Sequence, residues 1–124
     1  ARVQQLGYQL SANKSQEDAT MRFLLKVTIP NDGGNAAARA GKLGKTIKAI
    51  LDEQKPEAVY FTEDRGQRCG YLIIDLADAS QIPTFAEPWF LAFNAQIELH
   101  AVMTPEDLAK AGPSIERAVE RYGK

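Results

Sequence analysis

The chain has 124 residues, 44% apolar and 25% charged, with one cysteine and a formal net charge of −1. That suffices for one domain with one core. It excludes an internal disulfide and a multi-cysteine zinc site. It also offers no strongly basic face for nucleic acid or an anionic membrane, and no apolar run approaches the roughly 20 residues that cross a bilayer.

Residues 1–20, ARVQQLGYQLSANKSQEDAT, are polar and lack an apolar run of signal-peptide length. They read as an N-terminal extension, native or foreign, with Met21 as the expected start and Arg2 to Leu10 able to add a short element. The lone thiol of Cys69 suits a reducing cytoplasm, which is the expected location. RFLLKVTI, 22–29, is β-rich and stops at Pro30. PNDGGN, 30–35, reads as a loop, with Asn35 capping one helix from Ala36 to about Gln54. AVYFTE (58–63) and CGYLIIDLA (69–77) read as a hairpin turned by DRGQ, with Gly66 at positive φ. Asp78 or Ser80 caps a helix over 81–93 that Pro88 is expected to kink or split. AQIELHAVM, 95–103, is a fourth strand. Thr104, Pro105 and Asp107 spell a capping box for a short helix, and Gly112-Pro113-Ser114 separates it from a last helical piece.

Gly44-Lys45-Thr46 resembles the end of a phosphate-binding loop. Arg39 stands where that loop needs its first glycine, and the predicted helix puts Gly44 two turns inside, where the N–H groups are already bonded. Nucleotide binding is therefore not expected.

The order β-α-β-β-α-β is that of the ferredoxin-like split unit, an α+β antiparallel sheet with helices on one face. The expected layout is an extension (1–20), the sheet domain (21–112) and a C-terminal helical tail (113–124). Period-2 alternation puts Phe23, Leu25, Val27, Ile29, Val59, Phe61, Leu72, Ile74, Leu76, Ile97, Leu99 and Ala101 under the helices. The other face carries Lys26, Tyr60, Tyr71, Asp75, Glu98 and His100, with Leu24 and Ile73. Such a face needs cover, and a second copy of the chain supplies it. Lys26 is expected to pair with Asp75 or Glu98.

His100, the only histidine, and Asp75 are the candidate acid-base residues. Lys26, Tyr60, Tyr71, Glu98 and Trp89 are the candidate ligand contacts, Trp89 coming from the aromatic cluster FAEPWFLAFNA, 85–95. The plainer alternative is a structural histidine and interface-filling rings. No triad order and no metal site emerges.

MRFLLKVTIP, AVYFTED, GYLIIDLADASQIP and AEPWFLAFNAQIELHAVMTPEDL resemble a group of small, functionally uncharacterised bacterial proteins of the dimeric α+β barrel class. The resemblance covers about residues 21–112. It implies two protomers joined sheet to sheet, with ligands inside the barrel or between each sheet and its helices. The wider class includes cofactor-free monooxygenases, isomerase-like, lyase-like and haem-handling proteins. The expectation is a homodimer of unknown function that binds a small organic molecule, with oxygenase-like or isomerase-like chemistry and no cofactor. A non-catalytic structural or interaction dimer is the alternative.

Overall fold

The computed structural model describes residues 19–124. The expectations for the extension therefore lie outside the described residues, apart from its last two positions. The elements are β1 (Met21–Ile29), α1 (Asn31–Arg39), α2 (Leu43–Gln54), β2 (Ala58–Asp64), β3 (Gln67–Leu76), a 3-10 turn (Ala79–Gln81), α3 (Ile82–Phe93), β4 (Gln96–Ala101), α4 (Pro105–Lys110) and α5 (Gly112–Tyr122). The four strands form one sheet in the order β2-β3-β1-β4, antiparallel at every pairing. The protein is thus α+β, as its alternating pattern predicts.

Leu25, Val27, Ile29, Leu72, Ile74 and Leu76 are buried on one face of the sheet. Ile50 of α2 with Trp89 and Phe93 of α3 packs onto them. Trp89 and Phe93, four residues apart on one helix, bring their ring centroids to 6.2 Å. Alternation thus assigns the central strands correctly. Phe61 and Ala101 share the parity of the buried residues but remain exposed. For Phe61 the cause is topological, because β2 is an edge strand.

The first helical region departs from expectation twice. NDGGN is helix rather than loop, and Asn35 lies inside α1 instead of capping it. Proximity explains the glycines. A Cβ at Gly34 would lie 2.6 Å from Arg68 Nη1 and 3.1 Å from Ile29 Cγ2, and one at Gly33 would lie 3.0 Å from the Phe93 carbonyl oxygen. Glycine's helix penalty of about 1 kcal/mol is accepted for close packing. The expected single helix 36–54 is also two helices. Gly41 takes φ +71°. Its N–H donates to the Ala38 carbonyl, and Lys42 N–H donates to Ala37, the two bonds of a Schellman stop. Gly44 consequently falls in the first turn of α2 rather than two turns inside. Its N–H is therefore among the first-turn donors that a helix leaves without an intrahelical partner, while Arg39 still stands where the phosphate loop requires glycine.

Arg65 (φ 53°) and Gly66 (φ 80°) make the two-residue β2–β3 turn, the two positive-φ positions of a type I′ hairpin. Pro88 does not split α3, which runs unbroken from Ile82 to Phe93. Proline has no N–H to offer the Thr84 carbonyl one turn back. The Gln54 side-chain amide reaches it at 3.3 Å and the Phe85 carbonyl at 3.0 Å. Gln54 Oε1 accepts the Trp89 indole N–H at 3.2 Å. One buried amide thereby satisfies the opened helix and the core tryptophan together.

Candidate functional site

Two surfaces offer chemistry: the sheet face that no helix covers, and a cavity behind the sheet. Register maps the open face in rows. Tyr60, Tyr71, Lys26 and Glu98 lie side by side across all four strands, and Ala58, Ile73, Leu24 and His100 form the next row. Tyr60 is 73% exposed. Leu24, Lys26, Tyr71 and Ile73 are half-buried by their neighbours.

Lys26 is the hub. Its Nζ lies 2.6 Å from Asp64 Oδ2 and 3.5 Å from Glu98 Oε2. Glu98 Oε1 in turn lies 3.4 Å from His100 Nε2. The hydrogen bond to Asp64 raises the Lys26 ammonium above its usual pKa, and the same bond holds the Asp64 carboxyl below its own. Burial pushes the Tyr71 phenol upward, and the neighbouring Cys69 adds to the shift. Lys26, Glu98 and His100 therefore form a polar line on this face, and Lys26–Glu98 is one of the two expected pairs.

The other expected members stand elsewhere. Asp75 is opposite Arg22, so β1 separates it from His100 on β4 and the two do not form an acid-base pair. Arg22 pairs instead with Glu57 at 2.9 Å. Asp75 and Arg22 line a polar depression of about 570 Å³ with Met103, Thr104 and Asp107. Trp89 lies on the helix side, 0% exposed, and cannot wall the open face. His100 and Glu98 side chains are both more than half exposed. Glu98 is therefore an exposed carboxylate in the single chain, and His100 satisfies no buried charge there. Asp64 is the residue sequence reasoning missed. Extending the β2 alternation through the DRGQ turn places it on the Lys26 face. No cluster of three or more metal-ligating side chains occurs among the described residues.

Behind the sheet lies a cavity of about 190 Å³. Val27 and Ile29 of β1, Ile47 of α2 and Trp89 of α3 form its apolar walls. Phe61 and Gly70, cross-strand partners on β2 and β3, form its outer side. A Cβ at Gly70 would come within 3.0 Å of the Phe61 ring, so the glycine lets that ring lie flat over β3. A second apolar cavity of about 180 Å³ lies between α3 and β4, against Phe85, Phe90, Ile97 and Leu99. The helix-side cavities are apolar, while the open face is mixed and charged.

Residues 21–115 match the family described as a domain of unknown function, DUF3303, and the chain belongs to that family. No curated protein and no solved structure matches. The function of the family is not known. Among the described residues, no helix is long and apolar enough to cross a membrane.

Proposed function

We infer that this chain works as a homodimer of ferredoxin-like halves closed sheet to sheet as an α+β barrel, each half holding a small organic molecule between its sheet and its helices. The cavity of about 190 Å³ carries the binding side of this reading. It is somewhat larger than the roughly 150 Å³ that accommodates benzene in an apolar protein interior. Its walls are apolar, and its outer side is formed by a half-exposed aromatic ring, Phe61. Apolar walls with an opening are the usual form of a small-molecule site. The open face supports the assembly, because Leu24, Tyr60, Tyr71 and Ile73 bring apolar surface to a sheet face with no helices of its own.

The polar line of the open face lies inside the barrel in this reading. Lys26 is already held by Asp64 and Glu98, so the line fits charge pairing between sheets better than proton transfer to a substrate. Methyl NMR tests the cavity. Toluene added to the protein should shift the Val27, Ile29 and Ile47 methyl signals, and Ile47→Phe, which fills the space, should abolish the shift. Unmoved methyl signals would remove the binding role.

A further inference from the structure

We propose that the cavity between β3 and α2 selects a small apolar carboxylate, held by Arg68 at its rim. The proposal rests on reading that cavity as a binding site and names the class of molecule it takes.

Arg68 opposes Ile29 across the β1–β3 ladder and is, among the described residues, the one charged residue lining the largely apolar cavity. Its guanidinium is fixed, not free. Nη1 donates to Asn35 Oδ1 at 3.0 Å, and it approaches so near to α1 that a Cβ at Gly34 would lie 2.6 Å from it. Asn35 is a neutral acceptor, so the charge is positioned but not neutralised. Arg68 forms no ion pair among the described residues. Its cross-strand neighbour is Glu63, but the Glu63 carboxylate is turned to the Gly66 N–H at 3.0 Å. A guanidinium carries five N–H donors in a planar fork suited to a carboxylate. A half-buried one with an uncharged partner, beside apolar walls, presents a cation to the head of a molecule whose body fills the cavity. This arrangement also gives Gly34 and Asn35 a role inside a helix, where neither is favoured by propensity.

Trp89 is the only tryptophan and lines the cavity, so its fluorescence reports occupancy. The probes are benzoate and benzamide, nearly identical in shape and different in charge. Benzoate should bind roughly tenfold more tightly, as a charge-assisted hydrogen bond gives. Arg68→Gln should erase that preference, leaving benzoate no tighter than benzamide. Equal binding of the two probes to the parent protein would overturn the proposal and leave the cavity reading standing. A preference that survives Arg68→Gln would also overturn it. If neither probe changes Trp89 emission, and Ile47→Phe behaves like the parent, both the proposal and the cavity reading fall.

Discussion

Gln54 carries more of the fold than its residue type suggests. It is a buried polar side chain whose amide supplies the donor that Pro88 cannot and whose oxygen receives the Trp89 indole N–H. Gln54→Leu keeps the size of the side chain but strands these buried groups. The expected loss is on the order of 3 kcal/mol, since each unsatisfied buried group costs about 1–3 kcal/mol. Urea denaturation followed by Trp89 emission measures it, and a loss too small to resolve would show that water replaces the amide. Nothing in the sequence marks Gln54, because a helix pattern shows it only as a polar residue before a stop. Asp64 and Arg68 were equally hidden. Asp64 stands in the turn-like DRGQ although it ends β2, and a guanidinium's partners depend on which helix passes nearby.

The strands were the most legible elements, because one buried face gives a clear period of two in β1 and β3. The region 30–54 was not. In sequence its glycines spell a loop at 30–35 and no stop within 36–54, whereas Gly33 and Gly34 serve close approach and Gly41 serves a helix stop. At the hairpin, Lys26 of β1 reaches past β3 to Asp64 at the end of β2. The lowered folded pKa of Asp64 makes that tie present above the unfolded carboxyl value of about 4 and lost as pH falls through the folded value. Lys26, raised instead, keeps its contribution below its unfolded value of about 10.4 and loses it as pH rises through the folded one. The urea midpoint should therefore fall less steeply between neutral and acid pH in Asp64→Asn than in the parent. Identical slopes would show that the pair does not contribute. At the other end of the chain, α5 buries no residue, and Ile115, Val119 and Tyr122 are exposed along it. Its amides should exchange with solvent by local opening, far faster than those of β1. Protection equal to β1 in hydrogen exchange would mean that another surface covers this helix.

For the molecule as a whole, one sheet face is sealed by three helices and the other stands open, with rings, aliphatic side chains and a charge network on it. The α+β class and the two faces were visible from alternation alone. The side on which Trp89 lies and the partner of Asp75 were not, because they depend on which side a helix crosses and on the β1–β3 register, which sets Asp75 opposite Arg22. The central claim is that two such open faces close on each other. Leu24 and Ile73, adjacent on β1 and β3, lie in the middle of that surface. Sedimentation equilibrium at micromolar concentration tests the claim most directly. A sheet-to-sheet dimer gives a particle of twice the 13.6 kDa chain mass, reduced to one chain mass by Leu24→Asp. A parent protein that sediments as a single chain at that concentration would contradict it.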